Sequence, residues 1–201
     1  MNLSFKQYRT IDLCIMFIIL TVAEALITTA ARVWFPSEIY VLSPTVAIVS
    51  IVMMRWGGWA AVQAVGGGLA LCIASGATDR QFIVYCIGNC FALAAMLLFK
   101  AFGKEKIRSK PSLTLLFTVA AFAGAQLGRW LVGLLLGGAA GDIVKLFTTD
   151  SLSLVFAIVA VQLARRLDGL FEDQKAYLLR TQAERQKSRS PDYGDTEYGE
   201  I

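Results

Sequence analysis

The chain has 201 residues, of which 56% are hydrophobic and only 17% charged, with a formal net charge of +4 and no histidine. Its mean hydropathy is +0.59, and the apolar residues come in long blocks rather than at amphipathic spacing, which excludes an ordinary soluble domain. Without histidine neither a zinc-protease helix nor a serine–histidine hydrolase can be built, and the glycine-rich GGWAAVQAVGGG stretch lacks the lysine and hydroxyl of a phosphate loop. The chain is therefore expected not to be an enzyme, to hold no cofactor or metal of its own and to bind no nucleic acid.

Residues 1–10 form a short basic lead-in with Lys6 and Arg9. A first span is predicted over about Ile11–Ala31 and contains Glu24, with Thr21, Thr28 and Thr29 beside it. It is too long, and lacks a suitably placed small-x-small site, for a cleaved signal peptide. Arg32, Trp34, Phe35 and Pro36 end it at an interface. The second span, Ile39–Met54, carries Ser43-Pro44 in its first turns and is short for a simple crossing, which suggests shielding by protein.

Arg55 and Gly57-Gly58 predict a tight turn into a third span, Trp59–Ala77. Ala60-xxx-Ala64 and Gly66-xxx-Ala70-xxx-Ala74 are small-residue patterns that let helix backbones approach closely, and Gly66-Gly67-Gly68 could permit a local irregularity. The fourth span, Gln81–Phe102, carries Tyr85 and Asn89 in its first half. Cys86 and Cys90 share a helix face there, but with no third ligand they read as packing residues rather than a metal pair.

A basic loop, 103–111, leads to the fifth span within residues 112–139, whose middle holds Gln126 and Arg129. A guanidinium at that depth cannot shed its charge and must face other helices or a wet cavity. A glycine-containing connection, 137–150, ends at Asp150 above a sixth span, Ser151–Ala164. Residues 165–186 read as an amphipathic helix on the cytoplasmic side, and 187–201 as a disordered tail. The expected organisation is thus an all-α polytopic bundle over 1–164 with two C-terminal appendages.

Ten basic residues (Lys6, Arg9, Arg55, Lys100, Lys104, Lys106, Arg108, Lys110, Arg165, Arg166) fall on one side of six such spans, and Arg32, Arg80 and Lys145 on the other. The positive-inside rule then places both termini in the cytoplasm. At about 1.5 Å per residue, Glu24, Asn89, Gln126 and Arg129 converge in the outer half of the membrane. Trp34, Phe35, Tyr40, Tyr85 and Trp130 are candidate aromatic walls. Two alternatives stand at this point: an outward-open ligand compartment around Glu24 and Arg129, or a structural ion pair between them under an interfacial aromatic belt. Gln63 and Gln162 lie nearer the inner face and read as packing residues.

This layout of six helices in about 200 residues, with a basic lead-in and a glycine- and alanine-rich third helix (GGWAAVQAVGGGLALCIASG) after a short second one, resembles the substrate-binding S components of energy-coupling factor transporters. Those are prokaryotic vitamin-uptake subunits of the cell membrane. The resemblance implies a solute site near the outer face built from Arg32, Trp34, Tyr85, Asn89, Gln126, Arg129 and Asp150. It also implies a transmembrane coupling subunit and cytoplasmic ATPase subunits as partners, with ATP used by them. Docking in that family uses small-residue faces, often AxxxA in the first helix; here the first helix has Thr21-xxx-Ala25-xxx-Thr29, so Ala60, Ala64, Ala70 and Ala74 become the docking candidates. The alternative from the same layout is a membrane scaffold of the rod-shape type.

Overall fold

The computed structural model of the chain describes residues 5–36, 41–167, 169–174 and 176–181. All regular structure among them is helical: α1 Phe5–Trp34, α2 Thr45–Trp56, α3 Ala60–Ser75, α4 Asp79–Asn89, α5 Leu97–Phe102, α6 Lys104–Ser109, α7 Pro111–Leu135, α8 Asp142–Thr149 and α9 Ser151–Arg166. A 3-10 stretch, Cys90–Met96, joins α4 to α5 so that Asp79–Phe102 runs on as one rod of 24 residues. The start of that rod is tied by the Gln81 side chain, which accepts from the Thr78 backbone N–H at 2.8 Å. Four stretches are long and apolar enough to cross a membrane, and five if α8 and α9, bent by 46°, count as one.

One of those stretches, Thr45–Ser75, reverses direction inside itself. Gly57 sits at φ +62°, ψ −127°, a conformation open to glycine and hostile to other residues. A Cβ on Gly67 would lie 2.3 Å from the Thr45 hydroxyl, whereas a straight helix would hold the two about 33 Å apart. The stretch is therefore a hairpin of two antiparallel arms, α2 and α3. Every residue of α2 except Ile48 is buried, so α2 is the axis of the bundle, packed against α1, α3, α7 and α9. A helix apolar on all sides is stable only when enclosed, which accounts for its shortness.

The three consecutive glycines do not distort α3, which is helical from Ala60 to Ser75. Successive helical positions point about 100° apart, and the missing side chains admit three different neighbours. Gly66 meets the Phe17 ring of α1, Gly67 meets Thr45 of α2, and Gly68 meets the Tyr85 backbone of α4. Small residues thus set the position of α4, on which Tyr85 and Asn89 stand.

Side-chain exposure is inverted relative to a water-soluble bundle. Ile11, Ile15, Ile18, Val22 and Leu26 form an exposed stripe along α1, and Leu152, Val155, Val159 and Leu163 another along α9. Glu24, Gln63, Asn89, Gln126, Arg129 and Asp150 are buried. The pattern is compatible with a multi-pass membrane protein, in which apolar stripes face acyl chains and polar groups satisfy one another inside.

The end of the bundle bearing the basic residues is closed by ionic ties. Asp12 accepts from Arg55 Nε at 2.9 Å, from Arg55 Nη2 at 2.6 Å and from the Trp56 indole. Arg55 Nη1 reaches the carbonyls of Gly169 and Leu170, Lys104 pairs with Asp173 at 2.6 Å and Arg108 with Glu172 at 3.2 Å. The expected continuous amphipathic helix from 165 to 186 is accordingly broken. Helix α9 stops at Arg166, Gly169 takes φ +77°, and Phe171 is buried in the core. Docking of Phe171 and the ion pairs outweigh helical continuity there. The 103–111 segment is likewise not an open loop: α6 buries Ile107, whose carbonyl accepts from Thr114. Asp12→Ala would strand Arg55 and is expected to cost about 2–3 kcal/mol, less than a fully buried pair because both side chains keep some solvent access; thermal unfolding of the purified chain in detergent measures it. The tail expected to be disordered, 187–201, and Tyr40 lie outside the described residues.

Candidate functional site

Helix α7 buries a stripe at helical spacing, Phe122, Ala125, Gln126, Arg129 and Val132, and the two polar members of that stripe meet in its C-terminal half. Arg129 is 2% exposed. Its Nη1 donates to Asp150 Oδ2 at 2.6 Å and to Gln126 Oε1 at 3.4 Å, and its Nε donates to Asn89 Oδ1 at 2.7 Å. The Tyr85 ring covers the guanidinium face, with 4.7 Å from Cζ to the ring centre. Asn89 is fixed in turn by donating to the Ala64 carbonyl, and Gln126 donates to Asp150 Oδ2.

Asp150 is held at the corner between α8 and α9, where the backbone leaves the helical region at φ −98°, ψ 10°. Its other oxygen accepts from Ser153, one turn into α9. Backbone-to-backbone approach makes this geometry possible. Cβ atoms on Gly88 and Gly128 would fall 2.6 Å from the Arg129 backbone and 2.3 Å from the Gly88 carbonyl oxygen, so α4 and α7 touch directly beside the guanidinium. The Gly124-xxx-Gly128 pair was the legible signal for this contact, and it carries more of the site than the alanines of α3.

The Glu24–Arg129 ion pair, one of the two alternatives open from the sequence, is not formed. Arg129 takes Asp150 as its anion, because the α8–α9 corner delivers a carboxylate directly to Nη1. Glu24 is fully buried and accepts from the hydroxyls of Ser43 and Thr45, at 2.8 and 2.9 Å, with one oxygen, Oε2. The two acidic residues are nonetheless linked. Ser43 N–H donates to Ser153 Oγ at 2.8 Å, so a polar chain runs Arg129–Asp150–Ser153–Ser43–Glu24. Ser43, Thr45 and Ser153 were not singled out in the sequence, since hydroxyls at helix starts are common and only their convergence distinguishes them.

A cavity of about 260 Å³ opens above Arg129. Arg129 and Tyr85 line it together with Arg80, Trp130, Asp142 and Lys145, along with apolar and glycine positions of α7, α8 and their connection. Trp130 is oriented by its indole N–H on the Ala140 carbonyl, 3.0 Å, and Asp142 by accepting from Ala139 N–H at 3.0 Å. Among the described residues Arg129 Nη2 has no protein acceptor, and of that side chain it is the donor left for an occupant. Toward the N-terminal half of α7 aromatic rings pack the bundle, with Phe99 stacked on Phe117 and Phe122 edge-on to Phe147.

Of the residues expected at the site, Tyr85, Asn89, Gln126, Arg129 and Asp150 therefore meet, and Glu24 is joined to them through two serines. Arg32 and Trp34 do not. Arg32 donates to the Ala74 carbonyl at 2.8 Å, pinning α1 to the end of α3, and Trp34 is 73% exposed on the outside of α1. Neither lines the cavity, whose rim is built instead by the α7–α8 connection. The docking alanines are also redistributed: Ala60 and Ala64 are fully buried within the bundle, so only half-buried Ala70 and Ala74 remain near a surface. Neither family models, curated proteins nor solved structures yield a match to this chain.

Proposed function

We propose that the chain is the solute-capturing membrane subunit of an uptake system, holding a small, acid-bearing, vitamin-like or micronutrient solute in the cavity above Arg129. In this proposal the bundle crosses the cell membrane six times, α2 and α3 counting as two crossings, with both ends in the cytoplasm and the cavity facing out. The observation that carries it is a guanidinium at the floor of an open cavity, neutralised on one edge by Asp150 and free at Nη2. A buried cation needed only for stability has no use for a void beside it. The volume lies just under the range usual for small-molecule sites, which suits a compact solute.

The lining matches such a ligand. Arg80, Arg129 and Lys145 outnumber Asp142 in the lining, an excess of positive charge that persists when Asp150 behind Arg129 is set against it, and Tyr85 and Trp130 offer flat apolar surfaces. With no nucleotide motif in the chain, ATP-driven transport would depend on a coupling subunit and ATPase subunits of the energy-coupling factor type. The scaffold alternative draws less support, because its contact segments, the 103–111 loop and residues after 165, are engaged with each other through Lys104–Asp173 and Arg108–Glu172.

Native mass spectrometry of the full chain purified from its own membranes is expected to show a small acid bound one to one. Arg129→Lys keeps a charge opposite Asp150 but loses the Nη2 donor and the bond to Asn89. It is expected to lower affinity for that acid about ten- to hundredfold, the value of a charged hydrogen bond, with the fold retained. Release of cell-envelope proteins without a metabolite, or unchanged affinity in Arg129→Lys, would overturn the proposal.

A further inference from the structure

Charge accounting in the buried polar chain does not close. Asp150 neutralises Arg129 through a 2.6 Å contact, and among the described residues that leaves the Glu24 carboxyl, held only by two hydroxyls, with no cationic partner inside the bundle. The charged and titratable groups within its electrostatic reach are Arg129 on α7, Asp150 at the α8–α9 corner, Tyr85 on α4 and Cys72 on α3. None of these adds a free cation. An isolated carboxylate in such surroundings is costly by many kcal/mol unless something positive joins it.

Two buried oxygens point to where it joins. Glu24 Oε1 has no hydrogen-bond partner, although Oε2 has two, and Thr28 Oγ1, one turn along the same face of α1, has none either. Most helical threonines among the described residues bond their hydroxyl back to their own helix, exposed Thr29 and Thr45 at the start of α2 excepted. Thr21, Thr118 and Thr148 each return their hydroxyl to the carbonyl four residues back, at 3.0, 3.0 and 2.8 Å. Thr28 forgoes that default bond while being only 8% exposed, so its oxygen is turned away from its own backbone. The Ser43 and Thr45 hydroxyls beside Oε2 complete an all-oxygen surround of the type that hard monovalent cations take.

The geometry points to a monovalent-cation site between Glu24 Oε1 and Thr28 Oγ1, filled by sodium or by a proton carried on the carboxyl. This site stands independently of the solute proposal, since it would exist in a chain that captured nothing. Its connection through Ser43 and Ser153 to Asp150 gives it a physical route to the Arg129 cavity.

The test uses the purified full-length chain in detergent, melted in sodium chloride and in equimolar choline chloride at neutral and acidic pH, beside Glu24→Gln and Thr28→Val. Wild type is expected to gain several degrees with sodium if sodium is the occupant, or with acid and no sodium effect if a proton is. Glu24→Gln, neutral and isosteric, is expected to be indifferent to the effective cation. Thr28→Val, which keeps the carboxylate and should fold even if the first variant does not, is expected to respond more weakly than wild type. A wild type indifferent to both cations, a Glu24→Gln protein that responds as wild type does, or a Thr28→Val response equal to wild type's would each overturn the site.

Discussion

Asp150→Ala is expected to destabilise the folded bundle by about 3–5 kcal/mol, the cost of leaving one member of a buried pair uncompensated. Arg129 cannot deprotonate, and its remaining partners, Asn89 and the 3.4 Å contact to Gln126, are neutral. Gln126 loses its acceptor and Ser153 one of its two in the same step. Replacing both charges, as Arg129→Met with Asp150→Ala, is expected to recover most of that stability, because an apolar pair of similar volume carries no desolvation penalty. The double variant is expected to capture no solute. Denaturation in detergent together with a binding assay distinguishes a pair that only holds helices together from one that also presents Nη2 to a ligand.

Gly128→Ala is expected to damage the site through the backbone rather than through any functional group. The new methyl would sit 2.3 Å from the carbonyl oxygen of Gly88 and 2.5 Å from the Phe91 Cβ. A carbonyl cannot rotate out of the way, so α4 and α7 must separate by about an ångström, and the cost is expected at or above the upper end of the 1–3 kcal/mol usual for overpacking. Separation would stretch the 2.7 Å bond from Arg129 to Asn89 and lift Tyr85 from the guanidinium face. The expected outcome is a lowered melting temperature and loss of solute binding together. Gly141→Ala, where a methyl would meet nothing within 4 Å, is the matched control and is expected to melt as wild type does.

These two variants also separate what could be read from residue order from what could not. That Arg129 must be buried among protein groups followed from a guanidinium in the middle of an apolar run; Asn89 and Gln126 were legible as companions from their depth along helices, Tyr85 as an aromatic wall, and Asp150 only through the family resemblance. The identity of its counter-ion was not. Glu24 and Asp150 are both acidic and both at suitable depth, and the choice between them turns on a corner of backbone between α8 and α9 that no periodicity reports. The outer rim was misassigned for a similar reason. Arg32 and Trp34 stand at the end of α1 by pattern, but the packing of that end against α3 decides whether they face a cavity or the outside.

By itself the order of residues determined that this chain is helical, that several of its stretches are long and apolar enough to cross a membrane, and that a few polar groups must find one another inside, because charges within apolar blocks admit few other outcomes. Tertiary structure alone decided which partners they found. Three glycines on α3 and a glycine contact between α4 and α7 bring backbones close enough to set side-chain register, and that register gave Arg129 to Asp150 and left an oxygen of Glu24 unclaimed. Pairings of this kind depend on ångström differences between helix axes, which are properties of packing and not of any one segment.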